Sequence, residues 1–315
     1  MLSMIAGFCA YVYWYIRPVV KWFLRKTTRL CELQRICYGE SFGFNRTNKI
    51  ELSLNLSQVK EMQNMVDQLK NLASQGRFID KTSKSCVDYA IRVTLDVKGI
   101  KPDFHMPFIK NYRTCLYQIY GCRQLLYEVE ILRKTQYVSE NTEHEQKLLK
   151  LWSLLKPSEE LKNRISKQWG EIGFQGDDPK TDFRGMGLLG LENLLYFAAQ
   201  YNDAARHVLL HSKHPVYGYS FAIVGINLTS MALELLKDQH LLVHFYNTVP
   251  DRPLIKDFHN VYCYLFYEFD KFWLAEKPRD IMEFGRIRSK FEQVIMKRLE
   301  NPEAKLKLSF LIETL

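Results

Sequence analysis

Apolar residues in this chain recur at intervals of three and four, and that spacing constrains the fold more than any other feature. In "QVKEMQNMVDQL" the residues Val59, Met62, Met65, Val66 and Leu69 fall on one stripe of a 3.6-residue helix. Cys115, Leu116, Ile119, Leu125, Leu126, Val129 and Leu132 do the same over a segment expected to be helical from about 108 to 134. Further helices are expected near 83–97, 187–200, 203–212, 217–237, 254–275 and 278–299, and through "HEQKLLKLWSLL". Pro157, Pro215, Pro250, Pro253 and Pro278 sit in the gaps, where a missing N–H breaks no helical hydrogen bond. No run alternates apolar with polar residues, and no Asn-Gly or Asp-Gly pair marks a hairpin. The chain therefore reads as all-α, a single large helical domain.

Two stretches are read from composition and capping rather than from a stripe. Residues 39–57, rich in Gly, Asn and Ser, are expected to be loop and linker, with Ser57 capping the helix that follows. "SEELKNRISKQWGEIGF" is expected to be an amphipathic helix capped by Ser158 and carrying Leu161 and Ile165. The resulting organisation is a membrane-associating segment over 1–35, a helical N-terminal region over 36–140, a main helical domain over 141–296 and a tail over 297–315.

The first segment is the least ordinary. Residues 1–16 carry no charge, and "RPVVKWFLRK" continues with apolar residues interrupted by Arg17, Lys21 and Arg25. This falls just short of the roughly 20 apolar residues that span a bilayer, so a spanning helix and an interfacial, aromatic-rich helix both remain open. If the helix spans, the basic flank on its C-terminal side places the rest of the chain in the cytosol; if it lies in the interface, its cations meet lipid phosphates. Net charge is +9, but the cations are spread and interleaved with acids, so no stripe suited to nucleic acid appears. The local excess, Arg17, Lys21, Arg25, Lys26, Arg29 and Arg35 against Glu32, suits an anionic lipid surface instead. The seven cysteines include no C-x-x-C pair and read as reduced thiols.

Chemistry-bearing patterns are mostly incomplete. His207 and His211 share one helix face with His214 nearby, yet the Glu of H-E-x-x-H is missing, and no metal is expected. "GFQGDDPKT" ends like a phosphate loop, but Pro179 stands where glycine is needed and has no N–H to offer phosphate. "GMGLLG", Gly185 to Gly190, fits G-x-G-x-x-G in letters without the preceding strand that the motif requires. No G-x-S-x-G and no marked nucleophile is present. One residue stands apart. In "QGDDPKTDFRG", three acids, Asp177, Asp178 and Asp182, lead to a single arginine, Arg184, followed by Gly185. Two roles are open for it: a salt-bridged anchor holding the loop, or a planar, permanently charged donor reaching a phosphate on a partner. The acids in turn either pair with Arg184 or Lys180, or cap the helix beyond.

The stretch "WGEIGFQGDDPKTDFRGMGLLGLENLLYF", Trp169 to Phe197, closely resembles the signature of the ELMO domain, with every fixed position of that pattern filled. The likeness extends through "KLLKLWSLLKP", "RISKQW", "GYSFAIVGINLT", "HFYN" and "YEFDKFW" and reaches "CELQRIC" near the N-terminus. The short chain resembles the small ELMO domain-containing proteins rather than the large engulfment and cell-motility scaffolds. This resemblance implies a GTPase-activating protein for GTP-bound Arf-family small GTPases, Arf-like members included, with the arginine of D-F-R-G, here Arg184, as the catalytic residue. Gln175, Asp178, Asp182 and Gly185 are then its supporting loop, and Trp169 and Phe183 are read as core aromatics. The resemblance implies no cofactor beyond the magnesium and GTP held by the partner, and a place on the cytosolic face of endoplasmic reticulum, lipid droplets or mitochondria. The alternative is a non-catalytic helical scaffold that recruits a small GTPase or another partner to a membrane.

Overall fold

A computed structural model describes residues 16–78 and 84–308, residues 84 and 85 by their backbone only. Among the described residues the elements are α-helices and short 3-10 turns, with no strand. The helices are α1 (16–28), α2 (Glu32–Gly39), α3 (Phe44–Asn55), α4 (Lys60–Ser74), α5 (Lys84–Lys98), α6 (Met106–Lys134) and α7 (Thr142–Leu155). The second half contains α8 (Gly187–Gln200), α9 (Asn202–Ser212), α10 (Phe221–Lys237), α11 (Leu242–Thr248), α12 (Ile255–Glu276) and α13 (Phe284–Leu299).

The stripe from Cys115 to Leu132 lies on α6, which at 29 residues is roughly 43 Å long. Phe108, Tyr112, Leu116, Gln118, Tyr120, Cys122 and Leu125 are all buried, and they do not fit on one face. A helix that is apolar all round must be enclosed. α6 accordingly packs with α2, α3, α4 and α5 from the first half and with α8, α10, α11 and α12 from the second, inside one continuous core. Its buried amide is fully used: Gln118 Nε2 donates to the carbonyls of Tyr246 (3.1 Å) and Val249 (2.6 Å), while Oε1 accepts from Thr47 Oγ1 (2.6 Å). That one side chain ties α3, α6 and α11 together. α8 is a second hub, with Asn193 at full burial donating to Thr229 Oγ1 (3.0 Å).

Two expectations are corrected. Most of the stretch taken as linker is α3. Thr47, Ile50 and Leu54, spaced by three and four, are buried against the neighbouring helices, so a stripe existed beneath the loop-like composition. Its first N–H, on Phe44, is satisfied by Asn247 Oδ1 (2.8 Å), while Asn247 Nδ2 donates to the carbonyls of Pro302 (2.7 Å) and Ala304 (3.2 Å). Ser57 does not cap α4: Val59 occupies that position without a side-chain cap. Conversely, residues 158–166 form no α-helix, and only Lys167–Ile172 makes a 3-10 turn. Side chains take the backbone groups that a helix needs. The indole of Trp152 donates to Glu159 O (2.8 Å) and that of Trp169 to Arg164 O (2.8 Å). Gln168 bonds Glu160 O (3.1 Å) and Lys162 N (2.9 Å). α10 begins at Phe221, later than expected, and α11 was not expected at all.

Residues 1–15, the greater part of the uncharged segment expected at a membrane, lie outside the described residues. Its continuation is α1, which exposes Ile16, Val19, Val20, Trp22 and Phe23 and pairs Arg17 (3.2 Å) and Lys21 (2.6 Å) with Glu32. Among the described residues no helix is long and apolar enough to cross a membrane.

Two buried histidines give the fold a pH dependence. His244 Nδ1 accepts from Leu306 N (2.9 Å), and His259 Nδ1 meets Asn193 Oδ1 (2.6 Å), an acceptor, and so carries the proton there. Burial pushes both imidazoles down to about 4, for His244 with help from Lys307. The unfolded chain therefore binds more protons between pH 6.5 and 4, and the stability present at pH 7 is lost as pH falls through that window. Each histidine is expected to cost about 2 kcal/mol between pH 7 and pH 5. Urea midpoints at the two pH values check this: His259→Asn, whose amide stands where Nδ1 stood, is expected to show a distinctly smaller drop than the parent, and an equal drop refutes the assignment.

Candidate functional site

The "QGDDPKTDFRG" segment is a loop fixed at both ends by glycines. Gly173 closes the Lys167–Ile172 turn at φ +84°, and a Cβ there would stand 2.2 Å from Phe221 N and 2.7 Å from Ser220 C. Backbone thus lies directly on backbone at the start of α10, and Gly173 O accepts from Ile223 N (3.3 Å). At the other end Gly187 has φ +52°, and a Cβ would stand 2.3 Å from Arg133 O and 2.4 Å from Thr135 O, at the end of α6. Leu188 N donates to Thr135 O (2.9 Å) beside it.

Aromatic side chains form the base. Trp152 meets Trp169 edge-on (5.5 Å between centroids), Trp169 meets Phe174 (5.8 Å), Phe174 meets Phe183 (5.6 Å), and Phe183 meets Tyr137 (5.5 Å). Trp169 and Phe183 are buried, in keeping with their reading as core. Over this base Asp178 and Asp182 are occupied. Asp178 Oδ1 caps the 3-10 turn Pro179–Arg184 by accepting from Lys180 N (3.0 Å) and also pairs with Arg164 Nη2 (3.0 Å). Arg164 in turn pairs with Glu145 of α7, so the loop is tied across to that helix. Asp182 Oδ2 accepts from Gln175 N (2.9 Å). Neither acid pairs with Arg184, and neither caps α8, whose N-cap is Met186 without a side-chain bond.

Arg184 is exposed at the end of the turn. Its Nε donates to Thr181 O (3.0 Å), and among the described residues it makes no ion pair. The guanidinium is thereby oriented through one nitrogen while its two terminal nitrogens stay available. Gln175, Asp182 and Arg184 flank an open depression of about 390 Å³ whose far wall is Ile223, Ile226 and Asn227 of α10. Gly185, next to the arginine, has φ −81°, and a Cβ there would meet nothing within 4 Å. The fold itself does not need that glycine. Sequence reasoning located the loop but missed Arg164 and the α10 wall: the first is a lone arginine in a segment read as helix, and the second comes from residues some forty positions away.

The histidines do not converge on a site. His207 and His211 stack edge to face at 4.0 Å, His211 Nδ1 pairs with buried Asp270 (2.7 Å), and His214 Nδ1 accepts from the N–H groups of Val216 and Tyr217. Among the described residues no three metal-ligating side chains gather.

Residues 127–288, which contain the whole loop and both glycine contacts, match the ELMO/CED-12 family. This chain belongs to that family. It is 45% identical to ELMO domain-containing protein 1 of Mus musculus over 323 residues, covering 97% of this chain and 95% of that protein. It is 49% identical to ELMO domain-containing protein 2 of Mus musculus over 296 residues (93% and 95% covered), and 34% identical to ELMO domain-containing protein B of Dictyostelium discoideum over 281 residues (88% and 93% covered). No solved structure matches the chain. In this ELMO/CED-12 chain the two glycines that follow Arg184, Gly185 and Gly187, have opposite duties. Gly187→Ala is expected to lower unfolding free energy by roughly 2–4 kcal/mol through left-handed strain and backbone overlap. Gly185→Ala is expected to stay within about 0.5 kcal/mol of the parent. Chemical denaturation of the two variants checks this, and equal losses contradict it.

Proposed function

We propose that this chain is a GTPase-activating protein for Arf-family small GTPases, Arf-like members included, and that it supplies Arg184 in trans to the phosphates of bound GTP. The observation that carries the reading is the state of Arg184: exposed, oriented by Nε to Thr181 O, and unpaired among the described residues although two acids of its own loop lie close in sequence. Family membership points the same way, through the D-F-R-G motif at Asp182–Gly185.

Such a role asks little of the chain beyond this. In trans-activated GTP hydrolysis the GTPase holds nucleotide and magnesium, and the added arginine stabilises charge that develops on the phosphoryl oxygens, a contribution of about 10³ to 10⁵ in rate. In water an exposed guanidinium is strongly screened. Its effect grows when docking excludes solvent, because the same charge then acts in a medium of lower effective dielectric. Pre-orientation through Nε lowers the cost of fixing the side chain at that moment, and a carboxylate partner would have to be displaced first. Gly185 leaves open space where a partner's backbone can approach. We also assign residues 1–28 to the cytosolic face of an intracellular membrane, on the strength of the uncharged run over 1–16 and the apolar surface that α1 exposes.

Single-turnover GTP hydrolysis by a panel of purified Arf and Arf-like GTPases tests the reading. The parent chain is expected to accelerate at least one of them, and Arg184→Lys, which keeps the charge but loses the planar fork, is expected to lose about 10³-fold or more of that acceleration while remaining folded. Equal acceleration by both proteins removes Arg184 from the mechanism. Binding without acceleration by either supports a non-catalytic scaffold instead.

A further inference from the structure

Between α1 and the body lies a cleft of about 600 Å³, well away in sequence from the Arg184 loop. Its lining includes five cations, Arg17, Lys21, Arg25, Arg35 and Lys98, against one acid, Glu32. The acid is already used. Glu32 pairs with Arg17 (3.2 Å) and Lys21 (2.6 Å) and accepts from Ser53 Oγ (2.5 Å). Arg35 Nη1 donates to Leu30 O (2.7 Å). Arg25 and Lys98 have no side-chain partner among the described residues, and burial, together with the nearby charges of Lys21 and Arg25, pushes the Lys98 ammonium below the usual lysine range. Beneath these cations the floor is apolar, formed by Leu33, Leu54, Leu56 and Met62.

A cleft with surplus positive charge over an apolar floor complements an anionic amphiphile. The sequence next to it does not provide the missing charge, since residues 1–15 contain no acid. What adjoins it is apolar: α1 leaves Ile16, Val19, Val20, Trp22 and Phe23 exposed on the same helix that contributes three of the cations. A membrane lipid meets both conditions, whereas free phosphate uses only the first.

We propose that this cleft binds the phosphate headgroup of an anionic membrane lipid, with Arg25 and Lys98 as the principal contacts and the apolar floor beneath the glycerol and first acyl carbons. The site deepens the membrane assignment made for residues 1–28 and is independent of the role given to Arg184.

The test uses the full chain. Binding is measured to dihexanoyl phosphatidic acid below its micelle concentration, to inorganic phosphate, and to phosphatidylcholine vesicles containing phosphatidic acid or phosphatidylserine at matched surface potential. Lys98→Met keeps the apolar stem and removes a desolvated charge, so its melting temperature is expected to equal or exceed that of the parent; Lys26→Gln removes an exposed α1 cation outside the cleft. The expected result is binding of the short-chain lipid that Lys98→Met weakens by at least about fivefold and Lys26→Gln leaves unchanged, with a vesicle preference for phosphatidic acid. Three results overturn the proposal: no binding of the short-chain lipid, equal effects of the two variants, or inorganic phosphate binding as tightly as the lipid. If the short-chain lipid binds in the Lys98-dependent way and neither vesicle does, the cleft stands and the membrane assignment of α1 falls.

Discussion

Enclosure of α6 is the constraint on which the rest depends. A 29-residue helix buried on nearly all sides leaves the chain no choice but to wrap it with helices from both halves. Close enclosure also puts polar groups at risk, since an unpaired buried amide costs on the order of 1–3 kcal/mol. Gln118 avoids that cost with three hydrogen bonds, and by doing so it fixes α3 and α11 relative to α6. The C-terminal end of the same helix then sets the Arg184 loop. Gly187 lies against the carbonyls of Arg133 and Thr135, and Tyr137, just beyond α6, packs with its ring tilted against Phe183 of the loop. The position of Arg184 is therefore set by the core rather than by its own short segment.

The loop divides into a held base and a free tip. Phe174, Phe183 and Trp169 are buried, Asp178 is bound to Arg164, and Asp182 is bound to the Gln175 N–H. Asp178 and Asp182, two of the acids that sequence proximity offered to Arg184, are engaged elsewhere. Exposed ion pairs contribute only about 0–1 kcal/mol, so leaving one unmade sacrifices little stability. It does leave a forked cation with open donors at the surface, and forked donors match phosphate oxygens well.

Much of this architecture was legible because helices that bury one face show a stripe. α4 was readable on that ground, and α6 from the stripe Cys115 to Leu132 that makes up part of its buried surface. α3 was obscured by Asn and Ser, which favour loops when isolated, until Asn247, two hundred residues away, is seen to cap it. The segment after Ser158 failed in the opposite direction: its capping signal and apolar spacing were real, but Trp152, Gln168 and Trp169 claimed its backbone groups, and tertiary hydrogen bonds outweighed local propensity. For the site, the motif located Arg184 and its acids. Which carboxylate holds which partner, and that α10 supplies the opposite wall, depend on contacts across sequence that no spacing rule encodes.

Among the described residues Arg184 and Lys98 are both cations without an ion-pair partner, and the two cases differ in force. At Arg184 the cation is in water, so its lack of a partner is cheap and is informative only because acids stand nearby and are turned away. At Lys98 the cation is partly buried beside other cations, and there the arrangement opposes stability: desolvation and like charge both disfavour the ammonium. An anion bound in the cleft offsets both effects by adding to the counter-charge that Glu32, already paired with Arg17 and Lys21, supplies only in part. The surplus of cations lining that cleft is thus a physical argument for a ligand that does not depend on the motif in which Arg184 lies.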